Sequence, residues 1–210
     1  RMNAAGRLAH ADLALELMLA QNGMLAGGLA AQLDQLNRER QRQTEEAMQI
    51  AEETLGSSDE PLVIVASEHI SPGIVGLVAS RLVEAYGRPA VVYQKGDIES
   101  RGSCRSISEY DITTGLRSCG ELFERFGGHK QAGGFTIKSN RLEALEERLV
   151  GHAETALRGV ELTPAVDIDA EWPLQQLRSQ EIRWLGKLQP HGMANAEARL
   201  LSRNVSVVEA

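Results

Sequence analysis

The segment Arg125-Phe-Gly-Gly-His-Lys-Gln-Ala-Gly-Gly-Phe-Thr-Ile137 sets one titratable ring, His129, beside Gly127 and Gly128 and between the cations Arg125 and Lys130. An imidazole can donate a hydrogen bond to a phosphate oxygen, and glycines let backbone amides converge on an anion or let the chain approach a ligand closely. The chemistry this suits is the gripping of a phosphodiester, with Gly127-Gly128-His129 read as a phosphate-binding loop. Taken alone, the same tripeptide more commonly marks a tight turn with a surface histidine, because short motifs recur by accident.

A second set of candidates lies upstream in Ser100-Arg-Gly-Ser-Cys-Arg-Ser-Ile107. Arg101 and Arg105 stand among small residues on a predicted strand leading into a loop. A planar guanidinium in such a setting forks onto phosphate oxygens through paired, charge-assisted hydrogen bonds. The pattern also fits an exposed edge strand carrying protective charge. Arg117, Arg125 and Lys130 extend these residues into a candidate cationic track for nucleic acid.

Five separated motifs carry a family resemblance: Arg1-Met-Asn-Ala-Ala-Gly-Arg7, Gly73-Ile-Val-Gly-Leu-Val-Ala-Ser-Arg-Leu82, Gly87-Arg-Pro-Ala90, Gly102-Ser-Cys-Arg-Ser106 and Gly127-Gly-His129. In order and approximate spacing they resemble the RecJ family of single-strand-specific exonucleases, within the DHH phosphoesterase superfamily, over nearly the whole chain. The resemblance implies an α/β fold in which residues 59–160 form a DHH-associated domain, a mixed sheet flanked by helices that closes over nucleic acid. Residues 1–58 would be a helical connector, and residues 161–210 the beginning of an OB-like module. Arg105 and His129 match the family's phosphate-contacting positions, and Gly127 and Gly128 its loop. The implied activity of a complete protein is metal-dependent 5′-to-3′ hydrolysis of single-stranded DNA in repair and recombination, in the cytoplasm, with Mn²⁺ or Mg²⁺ as cofactor. Single-stranded DNA is the implied partner, and single-strand-binding protein a further one.

The family's metal-binding Asp-His-His sequence does not occur here, and the chain opens on Arg1 inside a motif that follows the catalytic domain. The expectation is therefore a fragment that holds no catalytic residue, metal ligand or cofactor and does not hydrolyse DNA alone. Pro190-His-Gly-Met-Ala-Asn-Ala196 departs from the family's turn at His191, Ala194 and Ala196, and Gly133 stands where the family has alanine. Two alternatives remain open at this level: a DHH-superfamily phosphodiesterase for oligonucleotides or cyclic dinucleotides, and a non-catalytic RecJ-derived DNA-binding scaffold.

Charge at first argues against a nucleic-acid binder, since the 210 residues carry a net charge of -7. Residues 81–138, however, hold nine Lys or Arg against seven Asp or Glu, so the acidic excess lies elsewhere. Phosphate contacts depend on where the cations are, and an acidic exterior discourages indiscriminate adhesion to duplex. The apolar stretches near Leu62–Ala66 and Ile74–Val83 are too short and interrupted to span a membrane. Cys104 and Cys119 lie in no metal-binding spacing and suit reduced thiols, and the five histidines are too dispersed to announce zinc.

The elements that must position these residues follow from periodicity. A short helix is expected over Asp12–Ala20 with Asp12 as N-cap, then one long amphipathic helix starting near Leu29 and ended by Gly56-Ser-Ser-Asp-Glu-Pro61. Leu62–Ala66, Ile74–Tyr86 and Ala90–Gln94 read as a β-α-β unit, with Gly87 and Pro89 stopping the helix. Asp111–Arg117 and Glu121–Phe126 read as two short helical pieces, Gly134–Lys138 as a strand with Phe135 in the core, and Phe126 as a residue able to stack on a base. Asn140-Arg-Leu-Glu143 resembles a capping box opening a last amphipathic helix. Beyond Thr163, Pro164–Trp172 alternates like a strand, Pro173 suits the start of a helix through Leu185, and Arg199–Ala210 offers one more strand. His69, just after the first strand, reads as a surface residue more than a functional one.

Overall fold

The computed structural model describes residues 1–56, 59–163, 166–192 and 194–206. The chain divides into two compact units, Arg1–Pro164 and Ala165–Ala210.

In the first unit the helices α1 (Met2–Leu8), α2 (Asp12–Leu19) and α3 (Gly23–Leu55) precede a five-stranded sheet. Its strands are β1 (Val63–Ser67), β2 (Ala90–Gln94), β3 (Glu99–Arg105), β4 (Phe123–His129) and β5 (Ala132–Lys138), in the order β1-β2-β3-β5-β4. β1 and β2 run parallel and the other pairs antiparallel, so the sheet is mixed. The parallel pair is bridged by α4 (Val75–Tyr86), while α5 (Ile112–Ser118) and α6 (Leu142–Ala156) follow β3 and β5.

β2 shows why the sheet has two cores. Successive side chains of a strand point to opposite faces. Val91 and Tyr93 join Ile112, Leu116, Phe135, Leu145 and Leu149 on the side of α5 and α6, whereas Ala90 and Val92 join Ala47, Ala51, Val78 and Leu82 on the side of α3 and α4. A strand covered on both faces reads as a continuous apolar run, which is the Ala90-Val-Val-Tyr pattern.

Gly87 ends α4 as expected, in the left-handed conformation at φ 63°, its N–H donating to the Val83 carbonyl. α3 starts earlier than its glycines suggest. Asn22 accepts from the amides of Met24 at 2.8 Å and Leu25 at 3.4 Å, and this cap offsets the cost of Gly27 and Gly28. The helix carries Arg38–Asp34 and Arg42–Glu39 ion pairs and ends at Leu55; Ser57 and Ser58 of the expected stop lie outside the described residues.

Three local expectations are corrected. Asp12 is the first residue of α2, not its cap, which is Ala11. Glu121–Phe126 is not helical: a 3₁₀ turn over Gly120–Leu122 passes into β4, where Phe123 packs against Phe135 at 5.3 Å between ring centres. That tertiary packing overrides a local pattern too short to specify a helix. Asn140 makes no capping box, because a 3₁₀ turn over Ser139–Arg141 leads into α6 without a side-chain cap. Its Ser139 hydroxyl instead donates to Gly96 C=O at 2.6 Å, tying the turn to the sheet.

In the second unit, among the described residues of the expected strand, β6 (Ala170–Glu171) forms, pairing in parallel with β7 (Leu200–Leu201). Val166 and Ile168 are exposed, so the alternation meets no packing surface among the described residues of this unit. Pro173 precedes a 3₁₀ turn, and the helix α7 begins only at Ser179 and ends at Leu185. Asn195 Nδ2 donates to the carbonyls of Leu188 and Pro190, both at 2.9 Å, fixing the departing turn. Pro164, Ala165, Met193 and residues 207–210, on which parts of these expectations fall, lie outside the described residues.

Candidate nucleic-acid interface

The register of β3, β5 and β4 assembles the candidates into three rows on the sheet face that α4 only partly covers. Arg101 pairs with Thr136 and Thr136 with Arg125; Ser103 pairs with Gly134 and Gly134 with Gly127; Arg105 pairs with Ala132 and Ala132 with His129. Residues directly opposite one another share a face. The result is two rows ending in cations or an imidazole, separated by a row with no side chain larger than serine. With strands about 4.8 Å apart, Arg105 and His129 flank a gap of about 10 Å floored by Ala132. Such a trough leaves phosphate oxygens room to reach the guanidinium and imidazole donors above a low backbone floor.

Arg105 is half-buried and held. Its Nη1 donates to Ser103 Oγ at 3.1 Å and to Cys104 C=O at 2.8 Å. Over it lies the first turn of α4, where a Cβ placed on Gly76 would stand 3.1 Å from Ser103 Oγ and 3.2 Å from Arg105 Nη2. α4 is in turn locked to the N-terminal helix, since Arg7 Nη1 donates to Gly73 C=O at 3.2 Å and a Cβ on Gly73 would fall 2.0 Å from the Arg7 carbonyl oxygen. The Arg1–Arg7, Gly73–Gly76 and Gly102–Ser106 motifs are thus one continuous set of contacts ending at Arg105.

Gly127-Gly128-His129 is not a loop. The three residues end β4, and the tight turn is Lys130–Gln131. The two glycines serve different purposes. Gly127 lies in the open middle row, with nothing within 4 Å of a Cβ placed there, while Gly128 has φ +151° and its Cβ would fall 2.2 Å from the Ala132 carbonyl oxygen. The hairpin tip is clamped from the other side: Ser106 N–H donates to Gln131 C=O at 3.0 Å and Ile112 N–H to Lys130 C=O at 3.1 Å. Asp111 caps α5 there, accepting from the Thr113 amide at 2.9 Å and the Thr113 hydroxyl at 2.6 Å. His129 therefore sits on a backbone fixed at both ends.

The structure sorts the remaining candidates. Arg101 and Arg125 share the first row and are exposed, and exposed Lys130 lies in the turn next to His129. Among the described residues no carboxylate pairs within 4 Å with Arg101, Arg105, Arg125, His129 or Lys130. Arg117 does not join them: α5 packs on the opposite face through Ile112 and Leu116. Phe126 also lies across the sheet, 5.1 Å from Phe123 and 41% exposed, so it cannot stack on a base held by the three rows. β3 is an interior strand, which removes the edge-strand explanation of Arg101 and Arg105. Ser103 and Gly76 are the residues that sequence reasoning passed over; their only signal was membership of the Gly102–Ser106 and Gly73–Leu82 motifs.

No group of three or more His, Cys, Asp or Glu among the described residues could hold a metal ion. Cys104 and Cys119 are free and buried; burial pushes the Cys104 thiol up to about 12, opposed in part by the Arg105 charge. No helix among the described residues is long and apolar enough to cross a membrane.

Residues 59–154 match the family model of the DHHA1 domain. The chain is 34% identical over 212 residues to the single-stranded-DNA-specific exonuclease RecJ of Bacillus subtilis, covering 97% of this chain and 26% of that protein. It is 32% identical to RecJ of Thermus thermophilus over 96% of this chain and 29% of that protein. Crystal structures of Thermus thermophilus RecJ with Mg²⁺ and with Mn²⁺ superpose with TM-scores of 0.81 and 0.79, at 30% and 31% identity, over 94% of this chain and 31% and 29% of theirs. The chain thus spans between a quarter and a third of these relatives.

Proposed function

We propose that this chain, which belongs to the RecJ family, is the substrate-gripping part of a metal-dependent exonuclease acting 5′ to 3′ on single-stranded DNA. The observation that carries this reading is the three-row trough: Arg105 and His129 across Ala132, Arg101 and Arg125 across Thr136, and small residues between. Its relatives are named as single-stranded-DNA-specific exonucleases, and the Thermus protein was crystallised with Mg²⁺ and with Mn²⁺. A role in repair and recombination in the cytoplasm, and single-strand-binding protein as a partner, belong to the same reading of the complete protein.

The division of labour follows from which groups are here. On this reading the ions and the activated water belong to the DHH domain of the complete protein. What these residues do is hold and orient. Arg105, immobilised by Ser103 and the Cys104 carbonyl, offers a preorganised donor fork, and His129 donates from the far side of the trough. Ser103 adds a hydroxyl beside the guanidinium. The chain alone leaves DNA intact. Residues 1–58 are read as the connector, 59–160 as the DHH-associated domain and 161–210 as the opening of an OB-like module. Exposed Val166, Ile168 and Trp184 support the last reading, as apolar surface that a larger barrel would cover.

Fluorescence anisotropy with 5′-phosphorylated single-stranded DNA, matched duplex and a dinucleotide, across a salt series, tests the reading. Single-strand binding that weakens with salt, and roughly tenfold or more with Arg105→Ala or His129→Ala, is the expected result, since a hydrogen bond to a charged group contributes about 1.5–3 kcal/mol. Binding indifferent to both substitutions overturns the trough, and preference for the dinucleotide favours the short-oligonucleotide alternative. Manganese-dependent DNA hydrolysis by the purified chain, surviving removal of contaminating nucleases, overturns the assignment of the chemistry to another domain.

A further inference from the structure

The far edge of the five-stranded sheet carries a second surface unrelated to the trough. β1 is an edge strand, and among the described residues only β2 pairs with it. Val63 N–H donates to Pro89 C=O at 2.9 Å and Lys95 N–H to Ser67 C=O at 3.1 Å, so Val63, Val65 and Ser67 are the residues bonded to β2. In a parallel ladder the intervening residues point their N–H and C=O groups the other way. Those residues are Ile64 and Ala66, and their backbone groups face the open edge.

Ile64 and Ala66 also floor a groove of about 740 Å³ that α6 borders without filling. Val150 continues the apolar floor, and Glu60, Glu146, Glu147 and Glu154 line the groove without any Lys or Arg. Glu146 accepts a hydrogen bond from the Tyr93 hydroxyl, which leaves Glu147 and Glu154 as the exposed carboxylates of the α6 wall. An unpaired edge with a groove beside it is the arrangement that accepts an added strand, with backbone bonds giving affinity and pockets for alternate side chains giving specificity. The carboxylates repel phosphate and so exclude nucleic acid from this side, while favouring cations.

We propose that this edge binds an extended, basic segment of a partner protein as an additional strand beside β1. Lysines or arginines at every second position lay their methylene stems over Ile64, Ala66 and Val150 and end at Glu147 and Glu154. The proposal does not depend on the nucleic-acid reading of the other face.

The test uses the whole chain and a fluorescent peptide of four Lys-Thr repeats, with Lys-Pro and Glu-Thr repeats as comparators. Saturable anisotropy binding of the Lys-Thr peptide is expected, at least about tenfold weaker with Lys-Pro, which cannot form ladder bonds, and lost with Glu-Thr. The double variant Glu147→Lys, Glu154→Lys should weaken it about tenfold. Ala66→Pro, which deletes an outward N–H and leaves the bonds to β2 intact, should do the same. Both variants should keep the native circular dichroism and unchanged single-stranded DNA binding. Where Ala66→Pro fails to fold, amide shifts of Ile64 and Ala66 in the native chain on peptide addition replace it. Equal binding of Lys-Thr and Lys-Pro, full binding by the double charge-reversal variant, or unmoved Ile64 and Ala66 amides would each sink the proposal.

Discussion

Gly76 and Arg105 stand close across two elements: a Cβ placed on Gly76 would lie 3.2 Å from Arg105 Nη2, on an α4 turn already anchored by Arg7 to Gly73. The absence of a side chain at one helix position therefore sets where the Arg105 guanidinium can rest.

Enlarging that position should move the guanidinium. Gly76→Val is expected to lower single-stranded DNA affinity about tenfold while shifting the midpoint of thermal unfolding only modestly, because the flexible Arg105 side chain yields before the backbone does. An unchanged affinity in an anisotropy titration would detach Gly76 from the site.

The donor fork predicts a difference between cations. Arg105→Lys keeps the charge but loses the planar pair of bonds, so affinity should fall nearly as far as in Arg105→Ala. For Arg101→Ala and Arg125→Ala the loss should be smaller, and the slope of log affinity against log salt should flatten by about 0.7 for each phosphate contact removed. Arg117→Ala, on the opposite face, should leave both quantities unaltered.

Two glycines predict stability losses of different origin. A Cβ on Gly102 would fall 2.2 Å from the ring tip of Phe135, which packs 5.3 Å from Phe123 and 6.3 Å from Tyr93, so Gly102→Ala should cost about 1–3 kcal/mol in urea unfolding through overpacking. Gly128→Ala meets backbone, at positive φ, and should cost about as much while also loosening the tip that carries His129. Its affinity for DNA should drop further than that of Gly127→Ala, whose Cβ points into open space.

Asp111 gives the fold an acid-sensitive cap. The Thr113 hydroxyl above all, with the amides of Thr113 and Thr114, holds its carboxyl below the usual range. The unfolded chain takes up this proton first as pH falls, so the cap's contribution is complete above about pH 4 and fades as pH drops through the folded value. Asp111→Asn should show a flatter decline of stability below about pH 4 than the native chain, followed by chemical denaturation at each pH.

Cys104, buried with its thiol pushed up to about 12, should resist alkylation in the folded chain and react only on unfolding. Its sign is opposite to that of Asp111: above about pH 8.5 the unfolded thiol ionises while the folded one does not, so stability declines with rising pH. Mass-spectrometric thiol labelling across a urea series checks the first part, and Cys104→Ala, with a shallower alkaline decline, the second.

Much of the first unit was legible from local pattern. The β-α-β unit, the Gly87 stop and the burial of Phe135 follow from two-residue and 3.6-residue periodicity and from glycine's access to positive φ, all properties of a residue and its near neighbours. Arg105, His129 and the flanking cations could be named as candidates from residue type and motif alone. Tertiary structure decided which of them stand together. Alternation says that Arg101, Ser103 and Arg105 share a face of β3, but only the hydrogen-bond register with β5 and β4 sets Arg105 in line with Ala132 and His129. The same register, fixed by contacts far apart in sequence, turned a supposed loop into a strand end and split the roles of Gly127 and Gly128. It likewise sent Phe126 across the sheet, as the packing of α5 did Arg117. A register slip of one residue would send every side chain of a strand to the other face, so the site depends on non-local pairing that no short window of sequence contains.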